Sequence, residues 1–194
     1  MIQQLRALPN QLTLLRLSII PFLALAILDA RYHRALILLV IAGVSDGLDG
    51  FLARVFRQRT QLGAYLDPIA DKLLLSTLFL VLMHVGLVSL RVTIFVFSRD
   101  LGILIMAALL YNTVGMRDFS PSIFGKANTL AQIVAVTSVV LAQTYAPKWL
   151  LWLRHASLEA TLWLTVISGF HYLWLSGRRL SHPAETHDSF KKAA

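Results

Sequence analysis

Four aspartates lie in two closely spaced pairs in the first half of this chain of 194 residues. Asp46 and Asp49 are three residues apart and Asp67 and Asp71 are four apart, so in helices each pair would share one face, one turn apart. Because carboxylates in apolar surroundings are costly and repel one another, a cation must accompany them. Carboxylates without histidine or cysteine select the hard divalent ions Mg²⁺, Mn²⁺ or Ca²⁺. Magnesium often completes its shell with substrate phosphates, so the pattern predicts a site that holds a diphosphate.

The residues between and beside the aspartates predict that the two pairs converge. The segment Val55–Leu62 is polar, basic and as short as a tight helix connection, which makes the flanking helices antiparallel neighbours. Gly50, Ala53 and Gly63 accompany the aspartates at helical spacing, and small residues there leave room for a ligand. In a membrane bundle the same small residues would also allow close helix packing.

The basic residues near the aspartates have two interpretations. Arg54, at the edge of the predicted turn, and Lys72 either bind a phosphate or extend to the membrane surface as snorkelling side chains. Arg99 either contacts the anionic head group of a second substrate or neutralises the acidic cluster. Lys126 is a second candidate for contact with that head group. The alternative for the aspartates is a set of buried salt bridges with Lys72, Arg16 or Arg99.

The elements that must position these residues are membrane-spanning helices. The chain is 57% hydrophobic and 14% charged, with a mean hydropathy of +0.67, which differs strongly from the composition of an ordinary soluble domain. Hydropathy predicts an all-α integral membrane protein with six transmembrane helices over about 11–30, 35–54, 64–85, 92–111, 127–145 and 158–176. A short amphipathic N-terminal helix precedes them and a polar tail, 178–194, follows, so we expect residues 1–194 to form a single membrane domain.

The charges predict the orientation of the spans. The net charge is +8, but the 18 basic residues are spread between spans rather than gathered in one patch, which argues against nucleic acid and for anionic membrane lipids as partners. Ten of them fall in the terminal segments and loops of one side and five in the loops of the other. The positive-inside rule therefore predicts that both termini and the aspartates are cytoplasmic. We expect the first span to be retained, and the absence of cysteine excludes disulfides and zinc–thiolate sites.

The aspartate pattern resembles the signature of the CDP-alcohol phosphatidyltransferase family. It matches at all eight fixed positions, which are Asp46-x₂-Asp49-Gly50-x₂-Ala53-Arg54-x₈-Gly63-x₃-Asp67-x₃-Asp71. Eight residues in one frame are a far more specific signal than a single pair of aspartates. The PNQLTLLR opening and the six predicted spans extend the resemblance over nearly the whole chain.

The resemblance implies a reaction and the residues that carry it. CDP-diacylglycerol would bind with its diphosphate on one or two divalent cations, Mg²⁺ or Mn²⁺, and an acceptor hydroxyl would attack the lipid-side phosphorus and release CMP. The four aspartates would bind the metal, and Asp71 would also be the catalytic base. The CDP-lipid would bind at Gly50, Ala53, Arg54 and Gly63. The resemblance also implies a homodimer in the cytoplasmic or inner membrane.

The acceptor is expected to be a glycerol-type alcohol, either phosphatidylglycerol or glycerol-3-phosphate. The SRDLGILI and PSIFGKANTLAQ stretches, which hold the candidate acceptor-binding residues Arg99 and Lys126, are more similar to cardiolipin synthases of the CMP-forming type. Ala107 stands where phosphatidylglycerophosphate synthases commonly carry a second arginine. Two other classes stay open. A membrane prenyltransferase would have more spans and widely separated acidic motifs, and a divalent-cation transporter would have acids near mid-membrane and polar residues through both leaflets.

Overall fold

Six α-helices and no strand make up the part of the chain that the structure describes. The computed structural model covers the backbone of residues 8–55, 61–114 and 123–181, and the side chains of residues 11–48, 69–103, 105 and 125–170. The helices are α1 Leu8–Leu28, α2 Tyr32–Val55, α3 Gln61–His84, α4 Leu90–Val114, α5 Ile123–Tyr145 and α6 Lys148–Ser181. The prediction of an all-α fold is therefore confirmed for these residues.

Tight turns join the first two helices and the third to the fourth. Ala30 follows α1 with a φ of 55°, and Gly86 follows α3 with a φ of 76°, which is the left-handed conformation that commonly ends a helix. At each turn the next residue donates its N–H to a carbonyl five residues back, from Arg31 to Ala26 at 2.8 Å and from Leu87 to Leu82 at 2.8 Å. Because the connections are so short, α1 lies antiparallel to α2, and α3 to α4.

The packing of the helices places α1, α2 and α3 together on one side and α4, α5 and α6 on the other. Helix α1 contacts both α2 and α3, α5 and α6 form a long shared interface, and α5 also contacts α2 and α3. A common apolar core links the two groups. It contains Leu23 and Ile27 from α1, Leu82 from α3 and Val136 and Val140 from α5, all nearly or completely buried.

The outer surface of the bundle is apolar. Large side chains such as Phe22, Trp152 and Phe170 are well exposed, as expected of helices that face lipid. Two of the helical segments in the described residues, Gln11–Leu28 and Gly125–Tyr145, are long and apolar enough to cross a membrane. That criterion does not establish all six predicted spans, which stay a prediction.

The predicted spans agree with the helices except at the last one. The first five match a helix to within four residues at either end, whereas α6 begins at Lys148, ten residues before the predicted start. Arg154 and His155 lower the hydropathy before residue 158 without preventing helix formation, because neither residue breaks a helix. Helix α6 also continues into the predicted polar tail as far as Ser181. The predicted amphipathic helix precedes residue 11. Its residues 8–10 belong to α1, and residues 1–7 and the tail from 182 lie outside the described residues.

Candidate functional site

A buried arginine of α1 joins an aspartate of α2 to an aspartate of α3. The Arg16 Nη2 atom lies 2.7 Å from the Asp46 Oδ1 atom, and the Arg16 Nη1 atom donates a hydrogen bond to the Asp71 Oδ1 atom at 2.5 Å. The Arg16 side chain is completely buried, whereas the side chains of Asp46 and Asp71 are 52% and 43% exposed. The guanidinium therefore closes the inner side of the acidic pair and leaves its outer side accessible.

Helix geometry explains why these three residues meet. Arg16 lies near the middle of α1, which packs against both α2 and α3. Asp46 is nine residues before the end of α2 and Asp71 is ten residues after the start of α3, so the two aspartates come to a similar depth in the bundle. One member of each predicted aspartate pair thus reaches the same guanidinium.

The remaining members of the predicted motif lie in α2 and α3, but their side chains fall outside the described residues. They are Asp49, Gly50, Ala53, Arg54, Gly63 and Asp67. Their predicted roles in binding a metal or the CDP-lipid therefore stay predictions. Asp46 and Asp71 are the two predicted metal ligands whose side chains the structure places.

A cavity of about 390 Å³ opens beside the acidic pair. Among the residues whose side chains the structure describes, Arg16, Asp46 and Asp71 supply the charged lining. The other described lining residues come from α2, α3 and α5. They are aliphatic residues, for example Leu39 and Ile133, with a glycine and two threonines. A molecule that fits this cavity carries a charged group at the Asp46–Asp71 pair and an apolar part along the helices.

The acidic pair fits a divalent cation. Both contacts to Arg16 use the Oδ1 atom of a carboxylate, and carboxylate oxygens are the donors that Mg²⁺ and Mn²⁺ prefer. Two carboxylates beside an open cavity suit an ion that completes its shell with water and phosphate oxygens. A group of three or more histidine, cysteine or acidic side chains that could hold a metal is not found where side chains are described.

A second charged cluster links α3, α4 and α6. The Lys72 Nζ atom lies 2.9 Å from the Asp100 Oδ1 atom, and the Arg99 Nη1 atom lies 2.7 Å from the same oxygen. The Arg99 Nη2 atom also donates a hydrogen bond to the Ser168 Oγ atom at 2.8 Å. Asp100 is buried, and its carboxylate neutralises both Lys72 and Arg99. The sequence alone left each of these two cations with two interpretations. Lys126, the other candidate for the acceptor, is exposed near the start of α5.

Buried amide side chains lie between α5 and α6. The Asn128 Oδ1 atom accepts a hydrogen bond from the Thr165 Oγ1 atom at 2.9 Å. Within the described residues, the Asn128 Nδ2 atom and both polar atoms of the Gln132 side chain have no hydrogen-bond partner, although both residues are completely buried. Unpaired polar groups in an apolar interior are costly, which marks this interface as a place for water or a polar group.

Two of these features were not assigned to the site by the sequence. The sequence pattern offers Arg16 only as an alternative partner of the acids and indicates no partner for Asp100. The signal available for both was an ionisable residue in the middle of a predicted span, which is functional by default. The partners of Arg16 lie 30 and 55 residues further along the chain, and Lys72 lies 28 residues before Asp100. Separations of this length form no helical spacing pattern, so the sequence could not reveal these pairs.

Known proteins similar to this chain point to one family. The sequence profile described as CDP-alcohol phosphatidyltransferase matches residues 6–168. The human protein named cardiolipin synthase (CMP-forming) is 30% identical over 155 residues, which are 71% of this chain and 51% of that protein. The chain spans about half the length of the human relative and of the rat relative with the same name.

Two bacterial relatives carry another name, CDP-diacylglycerol–glycerol-3-phosphate 3-phosphatidyltransferase. The Bacillus subtilis protein is 28% identical over 180 residues, covering 85% of this chain and 92% of that protein. The Aquifex aeolicus protein is 32% identical over 170 residues, covering 84% of this chain and 92% of that protein. The relatives therefore carry the names of two different activities.

Proposed function

We propose that this chain, which belongs to the CDP-alcohol phosphatidyltransferase family, transfers the phosphatidyl group of CDP-diacylglycerol to a hydroxyl of a glycerol-type acceptor and releases CMP. The observation that carries the proposal is the cavity beside Asp46 and Asp71, which combines one charged corner with long apolar walls. CDP-diacylglycerol has the same division, with a charged diphosphate next to two acyl chains. The names of the relatives support the same type of substrate.

The acidic corner is the proposed centre of the reaction. Asp46, Asp49, Asp67 and Asp71 would hold one or two divalent cations, Mg²⁺ or Mn²⁺. A cation bound there would neutralise the diphosphate and the charge that develops as CMP leaves. Asp71 accepts the proton of the acceptor hydroxyl while the new oxygen–phosphorus bond forms and the bond to the CMP oxygen breaks. Gly50, Ala53, Arg54 and Gly63 would bind the CDP part of the donor.

The apolar wall of the cavity positions the lipid. Aliphatic residues of α2, α3 and α5 face the acyl chains, while the polar head group stays at the carboxylates. An apolar wall excludes water from the lipid side of the phosphorus, which limits hydrolysis of the donor. The acceptor hydroxyl must reach Asp71 from the open side of the carboxylate, since Arg16 occupies the buried side.

The membrane arrangement follows the sequence prediction. We propose six spans, with both termini and the active site on the cytoplasmic side, and one membrane domain over residues 1–194. This orientation lets the water-soluble CMP leave into the cytoplasm while the product lipid stays in the bilayer. Membrane lipids and a second copy of the chain, as a homodimer, are the proposed partners.

The proposed acceptor is phosphatidylglycerol, with glycerol-3-phosphate as the second candidate. The SRDLGILI and PSIFGKANTLAQ stretches and Ala107 favour phosphatidylglycerol. The two bacterial relatives named for glycerol-3-phosphate favour that acceptor. Arg99 and Lys126 are the proposed acceptor-binding residues. Because Arg99 already contacts Asp100 and Ser168, a phosphate would have to bind it as an additional partner.

The test is a reconstituted transfer reaction with two acceptors. Purified protein is incubated in lipid vesicles with CDP-diacylglycerol, Mg²⁺ or Mn²⁺, and either phosphatidylglycerol or glycerol-3-phosphate, and both CMP and the lipid product are measured. We expect CMP in equal amount to the new lipid with one acceptor. Folded, metal-binding protein that releases no CMP with either acceptor would contradict the proposal. Flux of Mn²⁺ into the vesicles without CMP would favour the transporter alternative, and turnover of a prenyl diphosphate the prenyltransferase.

A further inference from the structure

We infer that Arg16 is a built-in counter-ion and positioning residue of the acidic site: its guanidinium holds Asp46 and Asp71 together across three helices before a divalent cation binds. The inference rests on the proposed function, because it treats both aspartates as metal ligands. It goes further by assigning a role to a residue of α1, outside the aspartate motif. Its central observation is one guanidinium that contacts carboxylates of two other helices at 2.7 Å and 2.5 Å.

The burial of Arg16 shows that these contacts are essential to its position. Its side chain has no exposed surface, and an arginine in the apolar interior of a bundle is tolerated only with charged or strongly polar partners. The two carboxylates, by contrast, are about half exposed toward the cavity. Arg16 is therefore a fixed internal group, and the carboxylates are the part of the cluster that meets a ligand.

The charge of the cluster explains how the pair stays assembled and still attracts metal. Asp46 and Asp71 alone would carry two negative charges at close range and would repel each other. With Arg16 the three groups carry a net charge of one negative unit. That residual charge keeps the pair attractive to a divalent cation, while the attraction to Arg16 outweighs the repulsion between the carboxylates.

The shape of the guanidinium explains why arginine, and not lysine, suits this place. The two contacts use two different nitrogen atoms, Nη1 and Nη2, of one rigid planar group. That fork sets the distance between the two Oδ1 atoms and hence between α2 and α3 at this depth. Lysine would keep the charge, but its single ammonium nitrogen does not impose the same separation. Hydrogen-bonded partners that orient metal-binding carboxylates commonly contribute about 10-fold to 100-fold in metal affinity.

The experiment compares stability without metal and affinity for metal in four variants of the full chain. They are R16M, R16K, the triple variant R16M/D46N/D71N, and R154M as a matched control. Arg154 is also a partly buried arginine, but it donates to the carbonyl of Leu87 at 2.7 Å in the turn after α3, away from the aspartates. Melting temperature is measured in detergent with EDTA and with Mn²⁺, and Mn²⁺ affinity by electron paramagnetic resonance.

The counter-ion role predicts a specific pattern of melting temperatures. In EDTA, R16M should melt about 5–10 °C below the wild type, because two carboxylates lose their shared cation. The triple variant should recover at least half of that loss, since the two carboxylates that Arg16 contacts are then neutral amides. Mn²⁺ should raise the melting temperature of R154M by as much as that of the wild type, because Arg154 lies away from the aspartates.

The positioning role predicts the metal affinity. R16K keeps the charge and loses the fork, so it should bind Mn²⁺ about 10-fold more weakly than the wild type. Equal Mn²⁺ affinity of R16K and wild type would overturn the positioning role. Equal melting temperatures of R16M and wild type in EDTA, or a triple variant no more stable than R16M, would overturn the counter-ion role. If R16M yields no folded protein, a folded triple variant supports the inference and an unfolded one overturns it.

These results are independent of turnover. The EDTA comparison contains neither substrate nor metal, so the stability pattern tests Arg16 even if the protein releases no CMP. A wild type that turns over CDP-diacylglycerol, together with an R16M variant of unchanged stability, would leave the proposed function standing and remove the inference. The expected stability pattern without any CMP would do the reverse.

Discussion

Replacement of Asp100 by asparagine should strongly destabilise the bundle, because this carboxylate neutralises two cations at once. Its Oδ1 atom lies 2.9 Å from the Lys72 Nζ atom and 2.7 Å from the Arg99 Nη1 atom, and only 4% of its side chain is exposed. Asparagine keeps the size and shape of aspartate but removes the charge. The variant D100N therefore leaves Lys72 and Arg99 close together without their shared anion.

The geometry sets the size of the effect. Removing one partner of a buried ion pair costs about 3–5 kcal/mol, whereas an exposed pair is worth about 0–1 kcal/mol. Arg99 is 6% exposed and forms a buried pair, while Lys72 is 23% exposed and its charge is partly screened by solvent. We therefore expect D100N to lower the free energy of unfolding by about 3–4 kcal/mol. For a chain of this size that corresponds to a fall in melting temperature of about 6–15 °C.

The assay is thermal unfolding of purified protein in detergent, followed by tryptophan fluorescence, for D100N, K72M and K72M/D100N. The double variant has lost one of the two uncompensated cations, so it should be more stable than D100N. A melting temperature of D100N within about 3 °C of the wild type would contradict the buried ion pairing of Asp100, because a loss that small is typical of exposed pairs. A double variant no more stable than D100N would show that the loss does not arise from unpaired cations.

Three further predictions concern the proposed reaction. D71N should release CMP at least about 100-fold more slowly than the wild type while its far-ultraviolet circular dichroism stays unchanged, because the proton acceptor is lost; near-normal turnover would remove Asp71 as the base. G43L, which fills part of the cavity, should raise the KM for CDP-diacylglycerol about 10-fold or more, whereas G102L should not. Within the described residues, a Cβ atom at either glycine meets nothing within 4 Å, so both variants should fold, and equal KM values would argue against lipid in this cavity. EDTA should abolish CMP release and Mg²⁺ or Mn²⁺ should restore it; turnover that persists in EDTA would exclude the proposed metal role.

Much of the fold was predictable because helices in an apolar chain follow from local composition. Five of six predicted spans match a helix to within four residues at either end. The start of α6 was misjudged because hydropathy measures affinity for lipid, while helix formation depends on backbone hydrogen bonding and propensity. Polar residues such as Arg154 lower the affinity of a segment for lipid but do not prevent it from forming a helix. The positions of Asp46 and Asp71 at a similar depth also followed from the short basic segment Val55–Leu62 of the sequence.

The residue types and spacing of the aspartates were enough to predict the class of chemistry, because these features act locally, within one turn of a helix. They did not determine which cation each acid meets. Arg16 is 55 residues from Asp71, and Arg99 is next to Asp100 but 69 residues from Ser168. Only the packing of α1 against α2 and α3, and of α4 against α3 and α6, decided those pairs. Ion pairs between distant residues depend on helix rotation and depth, which arise when the whole apolar core packs and which no short sequence pattern encodes.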